Sequence, residues 1–173
     1  SGPALQQELV SALPGAAVEL LHPDQVPASI AGDTLTSAVR QKLISAALSR
    51  QGMPYVWGAA GPGSFDCSGL VQWAYRQAGI LMPRVAAEQF LTGDHIPLAD
   101  AQPGDLLFWT YDPNDPGYVD HVAIYVGNGR FVNGPDKGGT VRLDHLDGYY
   151  WRDHFLFAKR VLTPRVRAAL AAD

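Results

Sequence analysis

Apolar positions in the first half of the chain recur with the period of a helix. In residues 36–51 they are spaced three and four apart, which places them on one helical face. The members of that face are Val39, Leu43, Ile44, Ala47 and Leu48. Gly52 suits the left-handed stop that follows a helix, and Pro54 prevents its resumption. The pattern predicts a first helix over residues 36–51.

A second helical pattern begins at Cys67 and runs to about residue 78. Gly79 follows it as a stop, and its apolar face consists of Leu70, Val71, Ala74 and Tyr75. The preceding residues 55–66 are dense in glycine and proline and are predicted to form a loop. Either Asp66 or Ser64 can cap the start of this helix.

From residue 106 onward the pattern changes to short runs rich in β-branched and aromatic residues, which is typical of strands. These runs are residues 106–109, 121–126, 130–133, 140–143 and 155–161. The sequence Gly127-Asn128-Gly129 predicts a hairpin turn between the second and third runs. Helices followed by strands predict an α+β fold, with N-terminal helices packed on a central antiparallel sheet.

The same pattern divides the 173 residues into one domain with two flanks. Residues 1–35 form a proline-containing lead-in segment, interpreted as a linker or a propeptide that blocks the site. Residues 36–163 form the domain, and one domain is what a chain of this length supports. The Ala-rich residues 164–173 form a tail that is either a short helix or frayed.

Composition excludes several classes of function. Thirteen basic residues against seventeen acidic ones give a net charge of −4, and no basic stripe is present, so nucleic-acid binding is not expected. No apolar run approaches the roughly 20 residues that a membrane span needs. The single cysteine cannot form an internal disulfide or a zinc site built on paired cysteines.

That cysteine, Cys67, lies at the predicted start of the second helix. A cysteine nucleophile must be a thiolate, and a free thiol with a pKa of about 8.5 is mostly protonated at neutral pH. Unpaired N–H groups at a helix start lower such a pKa, and the same groups can hold an oxyanion. A small buried hydrophobe is the alternative interpretation. The placement favours a nucleophile.

A base for Cys67 must come from one of five histidines. His121 opens the strand 121–126, shares one face with Ala123 and Tyr125, and is expected to project from the sheet toward a packed helix. Asn133 ends the next strand, and the hairpin can bring its side-chain oxygen beside His121 to fix the tautomer of the ring. A structural histidine is the alternative. The pattern indicates Cys67, His121 and Asn133 as a candidate triad.

Five ordered blocks of this sequence resemble the NlpC/P60 family of cysteine peptidases. They occupy residues 52–58, 65–70, 83–84, 103–108 and 121–129, and they read GMPYVWG, FDCSGL, PR, PGDLLF and HVAIYVGNG. The likeness covers roughly residues 38–161. It departs from the common pattern at Ala123, where the family often has glycine.

The resemblance implies a papain-like fold and hydrolysis of peptidoglycan stem peptides by Cys67, His121 and Asn133. The bond usually cut joins D-isoglutamate to meso-diaminopimelate. No metal or organic cofactor is needed, and the location implied is secreted or associated with the cell wall, although this sequence contains no signal peptide. A monomer is expected. The candidate substrate-binding residues are Tyr55, Trp57, Asp66, Ser68 and Arg84.

Two other functions stay open at this point. A peptidase fold can bind wall peptides without cutting them, although an intact set of three side chains disfavours this reading. An acyltransferase would pass the acyl group to an amine instead of water, after an identical first half of the mechanism. Trp109 is expected either to flank the cleft or to pack in the core. The aromatic residues 149–151 can stack on a sugar, although packing against the sheet is the more common fate of such residues.

Overall fold

A computed structural model describes residues 19–29, 34–135 and 139–163 of the chain, and these form the predicted α+β fold. Two main helices come first, α1 (Thr34–Leu48) and α2 (Cys67–Gln77), followed by the short α3 (Ala86–Gln89) and, late in the chain, α4 (Tyr149–His154). The strands are β1 (Asp94–Ile96), β2 (Leu106–Trp109), β3 (His121–Gly127), β4 (Arg130–Asn133), β5 (Arg142–His145) and β6 (Phe155–Arg160). Single-turn 3-10 helices occupy Pro23–Gln25 and Leu98–Asp100.

The six strands form one sheet in the order β1-β6-β2-β3-β4-β5, with every neighbouring pair antiparallel. In the register, Trp109 of β2 lies opposite His121, and Asn133 of β4 lies opposite Arg142 of β5. The start of β3 and the end of β4 therefore lie at the same end of the sheet. The predicted turn joins them at the other end, with positive φ at Gly127, Asn128 and Gly129.

The two faces of the sheet bury separate apolar clusters. On one face Val122, Ile124 and Val126 pack with the buried residues of α1 and α2. On the other face Ala123 joins a smaller cluster with Trp109 and Phe131, which Trp151 of α4 covers. His121 packs against Trp109 and Trp151, so its ring lies on this second face. The helix that it meets is thus α4 rather than the Cys67 helix, because the strongly apolar alternate positions of β3 face α2.

One predicted strand is shifted by two residues. The sequence predicted a strand over residues 140–143, and β5 is Arg142–His145. Val141 is buried and exchanges backbone hydrogen bonds with Gly52 and Met53, so it packs against the loop after α1 instead of extending the ladder. The edge strand is formed by more polar residues. β1, α3 and α4 were not predicted, because they are short and lack a clear apolar period.

The described part of the lead-in segment packs at the turn end of the sheet. Gln51 makes two hydrogen bonds with the backbone of Leu21, at 3.0 and 2.8 Å. Glu19 pairs with Arg130 and His145, which lie opposite each other at the start of β4. Residues 19–29 thus lie at the end of β4 away from Asn133. The remaining lead-in residues 1–18 and 30–33, and the tail 164–173, lie outside the described residues.

Candidate active site

The start of α2 fixes the position of Cys67. Asp66 is the N-cap, since its Oδ1 accepts a hydrogen bond of 2.7 Å from the backbone N–H of Gly69. Gly69 lies so close to the loop before the helix that an added Cβ would collide with the carbonyl oxygen of Ala59. The cap and this close approach together hold the first turn of α2 against residues 58–60.

Asp66 is also the centre of a polar network beside the thiol. Its carboxylate accepts further hydrogen bonds from the backbone of Gly58 at 3.1 Å and from the hydroxyl of Ser68 at 3.3 Å. Arg84 binds both carboxylate oxygens, at 3.0 and 2.8 Å, and its remaining contacts go to Ser68 and the carbonyl of Ala59. These hydrogen bonds with Asp66 are the main reason that the pKa of Arg84 is raised.

Burial raises the pKa of the Cys67 thiol to about 11. Backbone N–H groups of Val122, Ser68 and Cys67 lower it, as expected at a helix start, whereas the charge of Asp66 raises it further. Burial outweighs the N–H groups, so the resting thiol is protonated at neutral pH. The N–H groups at the helix start lower the pKa in the direction that the sequence indicated, but burial outweighs them, and a base has to take the proton during the reaction.

The thiol lies against the first residues of β3. Its Sγ is 4.0 Å from the carbonyl oxygen of Asp120 and near the N–H of Val122, which are the two residues that flank His121. His121 is buried, with an exposed fraction of 5%, and its Nε2 is 2.8 Å from Oδ1 of Asn133. The structure thus brings Cys67, His121 and Asn133 to one end of the sheet.

The side chain of Asn133 has a defined orientation. Its Nδ2 donates to the carbonyl of Arg142 at 3.2 Å and to Asp144 Oδ2 at 2.9 Å, so Oδ1 is the atom that faces His121. Oδ1 is only an acceptor, and Nε2 must therefore carry the proton of a neutral ring. Nδ1 is left as the basic nitrogen. Asp144 was missed in the sequence, because nothing in its strand of four residues marks it as a partner of Asn133.

The other predicted substrate-binding residues divide into two groups. Asp66, and to a smaller extent Cys67 and Tyr55, raise the pKa of Arg84, and the backbone of Tyr55 pairs with Phe65, the residue before Asp66. Trp57 stands apart, with 87% of its surface exposed. Trp109 packs in the core, where its Nε1 donates to the carbonyl of Trp151 at 2.7 Å, and it does not flank the cleft through an exposed face.

A cleft of about 310 Å³ opens beside His121. A separate cavity of about 440 Å³ lies at the turn end of the sheet, between residues 23–29 and α1, and none of the candidate site residues lines it. Residues 19–29, 34–135 and 139–163 contain no cluster of three side chains suited to hold a metal ion. In the same residues no helix has the length and apolar character that crossing a membrane requires.

The sequence profile of the NlpC/P60 family matches residues 52–160, which include every candidate site residue. A bifunctional muramidase/DL-endopeptidase of Bacillus subtilis, CwlT, is 42% identical over 124 residues, which are 70% of this chain and 36% of the relative. The murein DD-endopeptidase MepH of Escherichia coli is 40% identical over 118 residues, covering 66% of this chain and 43% of the relative.

A solved structure is similar to this chain in both sequence and fold. The crystal structure of a Staphylococcus aureus protein, described as similar to a lipoprotein of the NLP/P60 family, superposes with a TM-score of 0.65 at 42% identity. The match covers 76% of this chain and 43% of that one. This chain thus spans less than half the length of these relatives, and the rest of each relative has no counterpart in the match.

Proposed function

The chain belongs to the NlpC/P60 family, and from that premise we propose that it is a cysteine endopeptidase that hydrolyses peptidoglycan stem peptides. The observation that carries the proposal is the 2.8 Å hydrogen bond between His121 and a fixed Asn133, on the strand whose first residues contact the Cys67 thiol. A nucleophile, a base and a residue that orients the base are what acyl transfer from a peptide requires.

In the proposed mechanism the proton moves as the carbon–sulfur bond forms. Nδ1 of His121 takes the thiol proton while Sγ attacks the carbonyl carbon of the substrate, because the buried thiol is neutral at rest. Asn133 keeps Nε2–H directed away from the reaction and stabilises the imidazolium that forms. Backbone N–H groups at the start of α2 hold the oxyanion.

The second half of the cycle restores the enzyme. The imidazolium of His121 donates its proton to the leaving amine, and the carbon–nitrogen bond breaks to leave a thioester on Cys67. His121 then takes a proton from water while the water oxygen attacks the thioester carbonyl. The carbon–sulfur bond breaks, the imidazolium returns the proton to Sγ, and a thiol and a free carboxylic acid result. The balance needs only water, and the chain's own residues carry every proton.

We assign the acyl side of the substrate to the network around Asp66. Arg84 binds both Asp66 and Ser68, the two residues that flank Cys67 in the chain, and the Asp66–Arg84 pair presents a fixed polar surface to the peptide. Asp66 itself acts mainly as the support, since its carboxylate is already filled by the partners described above. Exposed Trp57, which precedes the Gly58 that donates to Asp66, is a candidate contact for the glycan or the peptide.

The bond proposed is the one between D-isoglutamate and meso-diaminopimelate. The Bacillus relative is named as a DL-endopeptidase, in agreement with this bond, whereas the Escherichia relative is named as a DD-endopeptidase. The decision therefore rests on an experiment. Action on this polymer also places the protein outside the cytoplasmic membrane, and we propose that it is secreted or bound to the wall and acts as a monomer.

The decisive experiment is a mass-spectrometric digest of purified diaminopimelate-type peptidoglycan by the wild type and by Cys67→Ala. New fragments that end at D-isoglutamate, absent with Cys67→Ala, are the expected result. Fragments with other ends would refute the bond, and products that appear only with an added amine would indicate an acyltransferase. No fragments, with retained binding of both proteins to the wall, would make the chain a binding module.

A further inference from the structure

The cleft beside His121 lies on one side of the catalytic pair only. Its lining consists of Tyr111, His121, Pro135, Arg142, Tyr150 and Trp151. Cys67 and the residues around Asp66 do not take part in it. The cleft therefore extends from the histidine, away from the start of α2.

The aromatic walls of this cleft are anchored to the catalytic strand. The backbone N–H of Tyr111 donates to the carboxylate of Asp120 at 2.7 Å, next to His121 in the chain. On the other wall Tyr150 stacks on His154 with ring centroids 4.1 Å apart, and His154 is bound to the carbonyl of Thr110 at 2.9 Å. The walls are thus preformed and suited to contact an aliphatic chain.

The one cationic side chain in the lining, Arg142, keeps most of its donors available. Its Nε donates to Asp144 at 3.0 Å, and among the described residues its terminal nitrogens have no acceptor. Half of its side-chain surface is exposed. Arg84, by contrast, uses both terminal nitrogens on Asp66, Ser68 and Ala59. Arg142 is therefore held in place by Asp144 while its paired N–H groups stay free for a ligand.

The chemistry of the catalytic cycle says which part of a substrate occupies this cleft. His121 must protonate the leaving nitrogen, so the residue that carries this nitrogen has to lie against His121. We propose that Arg142 binds a free carboxylate of the leaving amino acid, whose aliphatic chain lies between Tyr111 and Tyr150. This inference rests on the proposed function and adds a specificity for leaving residues that carry a second, uncapped carboxylate.

The test uses binding, so that it does not depend on turnover. Four peptides of the form L-alanyl-γ-D-glutamyl-diaminopimelate are prepared, with the α-carboxylate and the distal carboxylate of the last residue each free or amidated. Their dissociation constants are measured by calorimetry on Cys67→Ala, alone and combined with Arg142→Gln. Arg152→Gln is the matched control. It also removes one exposed arginine charge, but Arg152, which lies on α4, does not line the cleft.

We expect one free carboxylate to improve affinity about tenfold over its amide, and Arg142→Gln to abolish that difference. The peptide pair that shows the effect identifies which of the two carboxylates is bound. An equal loss for all four peptides, the same loss in Arg152→Gln, or no preference for a free carboxylate would overturn the inference. If the preference holds but the wild type cuts none of the peptides, the proposed function fails while the assignment of Arg142 stands.

Discussion

Two carboxylates organise the two halves of the proposed catalytic pair, and they do so in different surroundings. Asp66 supports the nucleophile, with 11% of its side chain exposed and hydrogen bonds from the backbone, a hydroxyl and both terminal nitrogens of Arg84. Asp144 supports the histidine through Asn133, with 18% of its side chain exposed, and its side-chain donors among the described residues are Asn133 and Arg142. The nucleophile half, Cys67 with Asp66 and its partners, is built from neighbouring residues around a carboxylate with little exposure. The histidine half, His121 with Asn133 and Asp144, is assembled across strands and has a half-exposed arginine as its outer partner.

The difference teaches how stability and function divide between the halves. Where a carboxylate caps a helix and accepts several further hydrogen bonds, as Asp66 does, its loss should destabilise the start of that helix. Where a carboxylate orients one side chain and its other partner is a half-exposed arginine, its loss should change the rate and leave the fold intact. The predictions below test this division, beginning with the change that is expected to have the largest effect.

Gly69→Ala should be the most damaging single change in the nucleophile half. The new Cβ would meet the carbonyl oxygen of Ala59 and lie 2.9 Å from Asp66 Oδ1, and neither backbone nor cap can move away cheaply. We expect a loss of about 3 kcal/mol or more in the free energy of unfolding, measured by urea denaturation. Gly63→Ala is the control, because nothing lies within 4 Å of the Cβ there. Equal effects of the two would contradict the close packing of α2 on the loop.

Asp66→Ala should cost about 2–3 kcal/mol of stability, since it removes the cap of α2, leaves the N–H of Gly58 without its acceptor and takes from Arg84 its carboxylate partner. Asp144→Ala should cost less than about 1 kcal/mol, because its arginine is half exposed. Urea denaturation of both variants gives the comparison directly. If the two losses are equal, the distinction between the nucleophile half and the histidine half is wrong.

This division also explains what the sequence could and could not predict. The nucleophile half is contiguous: Asp66, Cys67 and Gly69 lie in one short run, so a loop followed by an apolar helical period was enough to predict the cap and the nucleophile. The pairing of the strand of His121 with the strand of Asn133 also followed from the hairpin turn. The helix cap, the helix start and the hairpin turn are each determined by residues that lie close together in the chain, so the sequence alone could predict them.

The histidine half depended on contacts that spacing does not encode. Arg142 and Asp144 belong to β5, which begins at residue 142 instead of the predicted residue 140. The strand begins there because Val141 packs on the loop at Met53, and β5 then places both side chains beside Asn133. α4 carries Trp151 onto the ring of His121, although its aromatic sequence resembles a strand. The burial of Cys67, which outweighs the N–H groups at the helix start, is likewise a property of the folded chain that the local sequence does not encode.

The state of the thiol gives a prediction in pH. With a pKa of about 11, raised first by burial, Cys67 is protonated below that pH, and its thiolate fraction rises about tenfold per unit between pH 7 and 9. The rate of alkylation by iodoacetamide should follow this slope and keep rising above pH 9, where a free cysteine levels off. Mass spectrometry measures it unambiguously, because the chain has one cysteine.

Asp66→Asn sharpens the same measurement, since removing its charge lowers the pKa of Cys67 and moves the profile to lower pH. Asp144→Asn should leave the profile where it is. A rate that is high and flat from pH 5 to 8 in the wild type would instead reveal a thiolate–imidazolium pair at rest, and the order of proton transfer proposed above would be wrong.

The smallest effect, and the one that isolates the histidine half, concerns Asp144 acting through Asn133. Asp144→Ala removes one of the two acceptors that orient the Asn133 amide, and the carbonyl of Arg142 remains. We expect kcat at saturating substrate to fall roughly fivefold, the equivalent of one hydrogen bond of about 1 kcal/mol.

Asn133→Ala alone should lower kcat further. In the Asn133→Ala background, removal of Asp144 should then change kcat little, because the positioning residue has lost the group it positions. Additive losses in the double variant would mean that Asp144 acts on catalysis by another route, such as the placement of Arg142, and the histidine half would lose its separate support.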